Sequence, residues 1–488
     1  MRKHLILISL LSLPGCVTVG PRYSEPSVAE LQESYASVDD LTFVGDGEIP
    51  VGVWWYAYSD PRIAELVEIA REENRDLRVA IHQLEAAKAR SGAARRALLP
   101  QGTTSFGLTR QRTAPANFAG VIGADNASGD GGLGGDQLSV GTQEFNQYNA
   151  SSDASWEVDV LGRLRRQAQA AGSRADQQEL LLEDTMRLVT AETVDTFILL
   201  LESLNRRDVA LNNLEAQRET LELTEQLVAF GEAPELDAAR LRAQVLTTEA
   251  GVLEIKTAGA QALSALALLT AMTVPEFLER YPNLITDHQA PPMPGMDEVV
   301  ALDKPEEMLR RRPDVRAAER ALAAETYDVG VEVAELFPSI TLSGSASLTA
   351  LEFGDLGSET AFGYTAGPSI SWNILSLPTL LKDRAASRAE ADAALADYER
   401  TVLAALTETD ESLALYNGAV ERARLLSEAE VSALQSLELS EARYNEGADS
   451  LLSLLDAQRT ALTTQDQAVI AKAAALRARA AVHRALAH

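Results

Sequence analysis

The feature that constrains this chain most is where proline is missing. None occurs from Thr379 to His488, where Gly418 and Gly447 are the only glycines, and none from Ala116 to Ala233. Proline inside a helix costs about 3 kcal/mol, so both stretches can run as very long helices. Leu, Ala, Glu, Arg and Gln fill them, and all are good helix formers. Phe197, Leu204 and Leu211 stand seven apart, as do Leu214, Leu221 and Val228, which is the seam of a coiled coil. Arg163 to Phe230 predicts roughly 100 Å of helix at about 1.5 Å per residue. A globular core does not need that length; the wall of a tube does.

Breaks in the pattern divide the chain. Gly231-Glu232-Ala233-Pro234 ends the first long helix, and Asn445-Glu446-Gly447 ends a later one. Each break predicts a tight turn inside an antiparallel hairpin, at about 163–271 and about 382–486. Alternating patches predict strands at about 103–112, 143–156, 339–349 and 361–372, each near the ~9–11 residues of a tilted membrane strand. The chain also repeats itself: Ser155-Trp156 recurs as Ser371-Trp372, Gly231 as Gly447, and Leu246-Thr247-Thr248 as Leu462-Thr463-Thr464, all at one common offset. Leu98-Leu99-Pro100 is echoed by Leu336-Phe337-Pro338. Each half (60–272 and 305–488) reads helix, strand, strand, long helix, turn, long helix, with a proline-rich, irregular connector at 273–304 between them. Four strands cannot close a barrel, and their edges would be left unpaired in lipid. Three identical chains supply twelve strands and remove the problem.

The N-terminus reads as a targeting segment. Arg2, Lys3 and His4 precede an apolar run from Leu5 to Leu13, which is too short to span a bilayer. Leu13-Pro14-Gly15-Cys16 follows, and Cys16 is the only cysteine, so an internal disulfide is excluded. The pattern resembles a bacterial lipobox, with residues 1–15 removed, a covalent lipid on Cys16, and Val17 favouring the outer membrane over the inner. Residues 16–59 then form an N-terminal segment. No later stretch holds 18 consecutive apolar residues, so a membrane crossing needs strands closed into a barrel.

The net charge of −29 argues against a nucleic-acid partner, which requires a basic face. The five histidines, His4, His82, His288, His483 and His488, are scattered. No zinc spacing, phosphate-cradling loop or nucleophile elbow occurs, so neither an enzyme nor a metal site is expected. Residues 119–137 form a low-complexity loop. Within it, Gly131-Gly132-Leu133-Gly134-Gly135-Asp136 fits a calcium-binding nonapeptide once, where such sites need stacked copies. An exposed loop joining two strands is the expectation.

Several ordered motifs carry a family resemblance. Val19-Gly20-Pro21-Arg22-Tyr23 is followed by Trp54-Trp55-Tyr56, Asn74-Arg75-Asp76-Leu77, and Ser155-Trp156-Glu157-Val158-Asp159-Val160-Leu161-Gly162-Arg163. Arg311-Arg312-Pro313-Asp314-Val315, Leu336-Phe337-Pro338-Ser339-Ile340, Tyr444-Asn445-Glu446-Gly447 and Leu454-Leu455-Asp456-Ala457-Gln458-Arg459 complete the set. Together they resemble the outer-membrane factors of the TolC and OprM type, in the lipoprotein branch that serves resistance-nodulation-division pumps, over essentially the whole mature chain. The resemblance implies a mainly α homotrimer: a twelve-stranded β-barrel in the outer membrane, a long coiled-coil α-barrel, and a mixed equatorial collar wrapped by the N-terminal segment. It also implies a passive conduit. A periplasmic adaptor joins it to an inner-membrane proton-driven pump, which supplies the energy.

The resemblance places a periplasmic gate at Leu452 and Asp456, four apart on one helix face, with Ser453 where the TolC pattern has a second aspartate. It places gate-locking contacts at Tyr444 and Asp237. Asp449 stands where that pattern has an arginine, so it would repel Asp237, and Arg443 or Arg240 must supply the lock. The turn residues Gly231, Glu232, Asn445 and Gly447 are the implied adaptor contacts. Trp156 and Trp372, at matching strand ends, fit either an interfacial aromatic belt or packing in the collar. Two other readings use the same features: a type I protein-secretion duct, and a structural coiled-coil surface protein without membrane strands.

Overall fold

The computed structural model describes residues 18–26, 35, 44–45, 52–113, 143–282, 290–296 and 300–488. Cys16 and the 119–137 loop lie outside them. In order, the elements are β1 (Val44–Gly45), α1 (Pro61–Glu73), α2 (Arg75–Arg96), β2 (Gln101–Thr113), β3 (Gln143–Glu157), α3 (Arg163–Ala229), α4 (Glu235–Leu269) and α5 (Val274–Arg280). The second half continues with β4 (Val300–Ala301), α6 (Pro305–Arg311), α7 (Pro313–Glu335), β5 (Ser339–Ala350), β6 (Phe362–Ser371), α8 (Leu377–Asn445) and α9 (Leu451–Leu486). α3 and α8 hold 67 and 69 residues without a break, as the missing prolines permit.

The chain clusters into two units, each drawn from distant segments. The first (Met1–Tyr23, Ala89–Gly172, Ala323–Asp392) carries an antiparallel sheet in the order β2-β3-β5-β6. Each half of the chain contributes one hairpin, and β3 pairs with β5 to join them. The register sorts side chains by face. Ser105, Ser151, Ser347 and Gly363 form one row; Phe106, Ala150, Leu348 and Phe362 form the next, on the opposite face. One face is thus hydroxyl and amide, with Ser105 Oγ 2.8 Å from Ser151 Oγ. The other is mainly apolar up to Leu108 and Tyr148 and exposes Phe106 and Tyr364, and beyond them it carries Arg110, Arg112, Glu144 and Asn146 at its far end. The outer edges of β2 and β6 have no strand partner among the described residues.

The second unit (Ser24–Lys88, Ser173–Leu322, Ala393–His488) is helical. Along α3, Arg207, Ala210, Leu214, Gln217 and Thr224 are buried, and Leu221 and Val228 are half-buried. Their alternating three-four spacing is a coiled-coil seam, and Val245 and Val252 of α4 pack into it. Three of these seam positions are polar, Arg207, Gln217 and Thr224, and buried Gln217 accepts from Thr248 Oγ1 across the hairpin at 2.8 Å. The largest core gathers Trp54, Trp55 and Tyr58 with Ile63, Leu66, Phe197, Leu201, Phe277 and Leu476. Asp60 caps α1 by accepting from the Arg62 amide, with Pro61 in the first turn.

The stretch expected to be an irregular connector holds a helix. Thr273 and Glu276 form a reciprocal capping box that starts α5, and Pro275 falls in its first turn, where no amide donor is required. Proline there starts a helix rather than breaking one.

Candidate functional site

The two hairpin turns are built alike. In the first, Gly231 N–H donates to the Val228 carbonyl and Glu232 N–H to the Leu227 carbonyl, both at 2.9 Å. In the second, Gly447 N–H donates to Tyr444 at 2.9 Å and Ala448 N–H to Arg443 at 2.8 Å. Each pair of bonds is a Schellman motif. It needs a left-handed residue, and the glycines take it with φ +77° and +70°. The next helices start differently. Pro234 precedes α4 without a side-chain cap, whereas Ser450 caps α9 by accepting from the Ser453 amide at 3.2 Å.

Asp449 has local partners. It accepts from the Ser450 amide at 2.9 Å and from Ser453 Oγ at 3.2 Å, and it lies 3.4 Å from Arg443 Nε. Asp237 lies 3.8 Å from Arg240 one turn on. Each aspartate thus has a basic neighbour within its own hairpin, Arg443 beside Asp449 and Arg240 beside Asp237. These pairs are solvated and are worth about 0–1 kcal/mol each, so they are easily exchanged. Tyr444 is half-buried in the last turn of α8.

Leu452 and Asp456 share an exposed face of α9, away from the buried Leu454, Gln458 and Ala461. Leu452 is 62% exposed. Asp456 pairs with Arg459, one turn on, at 2.7 Å, a partner not anticipated from the sequence although its i, i+3 spacing was visible there.

Sequence reasoning also left the Arg311-Arg312-Pro313-Asp314 motif without a task. It closes the C-terminal end of α9. Arg187, Arg312 and Arg311 donate to the successive carbonyls of Arg484, Ala485 and Leu486. These carbonyls are the negative end of the helix, where cations are favoured. Arg312 is 3% exposed and reaches Asp314 at 2.6 Å and Glu408 at 2.8 Å. Burial alone pushes the Asp314 carboxyl up, but the hydrogen bond and charge of Arg312 win and hold it below its usual range. Beside this clamp, His483 stacks on Trp54 with 4.9 Å between ring centroids, and Arg479 lies 3.6 Å over the Tyr58 ring.

Trp156 Nε1 donates to the Leu98 carbonyl at 3.0 Å, and Trp372 Nε1 to the Leu336 carbonyl at 3.1 Å. Each tryptophan is thereby tied to the segment that enters the strand beside it, and both rings remain partly exposed. Among the described residues, no group of His, Cys, Asp and Glu is placed to hold a metal ion.

Two long helical hairpins and a four-stranded sheet with one polar and one mainly apolar face are the parts that this chain supplies. The chain belongs to the outer membrane efflux protein family, whose model matches residues 66–271 and 305–488, one match in each half. Nodulation protein T of Rhizobium leguminosarum bv. trifolii is 28% identical, over 93% of this chain and 90% of its own. The pyoverdine export outer membrane protein OpmQ of Pseudomonas putida is 28% identical, over 99% and 97%. The solved outer-membrane channel OprN matches with a TM-score of 0.82 and 31% identity, over 96% of this chain and 98% of its own. The CmeC channel of Campylobacter jejuni, at 20% identity and a TM-score of 0.84, shares the fold. The fold is TolC-like, and the protein is an outer-membrane efflux duct of a transport family, the exit component of a tripartite pump. A surface coiled coil without membrane strands is thereby set aside.

Proposed function

We propose that three copies of the chain close a twelve-stranded barrel and form a passive duct for small molecules, namely drugs, toxic compounds or metal ions. The observation that carries this reading is the four-stranded sheet. It has a lipid-compatible face, a water-compatible face and two edges without a strand partner among the described residues, and lipid tolerates no free edge. A periplasmic adaptor docks on the turns around Gly231, Glu232, Asn445 and Gly447, and an inner-membrane proton-driven pump supplies the energy. Small cargo is favoured over secreted protein because OpmQ is named for the export of pyoverdine.

The gate lies at Leu452 and Asp456. Three copies of Leu452 around an axis exclude water, and three copies of Asp456 favour cations. Ser453, Tyr444 and the pairs Arg443–Asp449 and Arg240–Asp237 hold the hairpin ends, and their weakness lets an adaptor release them. A covalent lipid on Cys16 anchors the chain to the outer membrane; no other cofactor is required.

Planar-bilayer recordings of the purified lipidated protein test this. Small cation-selective currents are expected from wild type, and a sharp rise from the Leu452→Ala/Asp456→Ala double variant. No current from either protein, with no trimer in detergent, would overturn the reading.

A further inference from the structure

The first described residues after Cys16 are held in a slot within the sheet-bearing unit. Val19 N–H donates to the Leu161 carbonyl at 3.0 Å, and Arg166 Nη2 donates to the Pro21 carbonyl at 3.1 Å. Three glycines shape the slot. A Cβ on Gly20 would sit 2.5 Å from the Gly330 Cα; one on Gly162 would sit 2.7 Å from Thr18 Cγ2; one on Gly330 would meet the Arg166 side chain at 3.1 Å. Gly20 and Gly162 also have positive φ, +91° and +84°, which other residues rarely adopt. Arg166 is buried, stands over the Tyr327 ring, and that ring lies beside Tyr23. Three distant parts of the chain thus lack side chains at one point, and a strap passes through the gap.

A lipid anchor needs only a loose tether, yet this one is short. Thr18 follows Cys16 at a reach of at most about 7 Å of extended chain. The slot also adjoins a particular surface. Val158 N–H donates to the Ile340 carbonyl at 2.8 Å, so the segment leading to Leu161 is fixed to the start of β5. There the apolar face carries Trp156 opposite Leu342 and Ile340 opposite Ile370. Trp156, Leu342 and Ile370 are exposed.

We propose that the lipid on Cys16 is a fixed annular lipid of this protein, its acyl chains seated on the Trp156–Leu342–Ile370 patch by the glycine slot. This rests on the lipidation of Cys16 proposed above. A free-swinging anchor would sample the whole belt around the barrel; the slot confines it to one strand pair.

The test feeds cells a palmitate carrying a diazirine, purifies the full-length protein after illumination, and maps adducts by mass spectrometry. In wild type, most adducts are expected on Trp156, Leu342 and Ile370. A six-residue Gly-Ser insertion between Val17 and Thr18 leaves the slot intact but frees the lipid, and should cut patch adducts several-fold while spreading the rest. Gly330→Val should do the same by closing the slot; the insertion decides the matter where that variant fails to fold. Scattered adducts in wild type, or an unchanged pattern after the insertion, would overturn the proposal. Wild-type protein with no lipid mass on Cys16 would overturn the lipidation reading itself, and that outcome is visible before any cross-link is mapped.

Discussion

His483 is 1% exposed, stacked on Trp54 and within 3.1 Å of His488, which in turn reaches Asp303 at 3.2 Å. Burial, then the neighbouring His488 and Arg479, push its pKa well below the ordinary 6.5. The unfolded chain therefore takes up protons that the folded chain refuses, and stability rises with pH across that window. The stabilisation is complete above the ordinary value of 6.5 and is lost as pH falls toward the depressed one. We expect the melting temperature to drop between about pH 7.5 and about pH 5.5, as the unfolding free energy falls with a slope that approaches about 1.4 kcal/mol per pH unit at the acid end. His483→Gln should flatten that fall, as measured by circular dichroism in detergent. A curve unchanged by the substitution would remove His483 as its cause. None of this was legible in the sequence, where Trp54 and His483 stand at opposite ends of the chain.

At the scale of elements, α9 is held differently at its two ends. Its last carbonyls are closed by Arg187, Arg311 and Arg312, whereas its start is capped only locally by Ser450 and its first two turns carry the exposed Leu452 and Asp456. Removing Arg312 takes the donor from the Ala485 carbonyl and leaves Asp314 only the Arg187 cation at 3.9 Å and Glu408 only the Arg484 cation at 3.2 Å, a loss of about 1–3 kcal/mol. Arg310, two residues earlier, pairs only at the surface with Glu306, so Arg310→Ala should cost about 0–1 kcal/mol. Thermal melts of Arg312→Ala and Arg310→Ala side by side check this; equal losses would refute the clamp. The long helices were legible because proline and glycine are sparse and act locally. The turns were legible because a left-handed C-cap calls for glycine. α5 was readable in Thr273-Val274-Pro275-Glu276 as a capping box, but the prolines that surround it give the stretch the composition of a loop. Arg443 was named as a candidate partner, but the bonds of Asp449 to the Ser450 amide and the Ser453 hydroxyl were not legible, because side-chain capping depends on where Ser450 starts α9, a matter of one residue. Arg312 was visible as part of a motif, but its task depends on carbonyls more than 170 residues away.

For the whole molecule, the two faces of the sheet set which substitutions are tolerated. Phe106 and Ser105 are adjacent in β2 but face opposite ways. An arginine on the lipid face costs about 2–4 kcal/mol near the middle of the bilayer, repeated in every copy. Phe106→Arg should therefore deplete membrane-embedded oligomer strongly, while Ser105→Arg should assemble normally and alter only conductance. Gel analysis of the membrane fraction, followed by bilayer recording, separates them, and equal assembly of the two would reverse the assignment of faces.

The free edges of β2 and β6 also have a consequence in genetics. In the proposed ring every edge is closed by a neighbour, so one chain with a damaged edge spoils the two sound chains that close on it. With equal amounts of damaged and normal chain mixing at random, only roughly one ring in eight is made wholly of normal chains. An allele altered at such an edge should therefore be dominant, suppressing export from a cell that still carries a good copy, whereas a null allele of the same gene should be recessive.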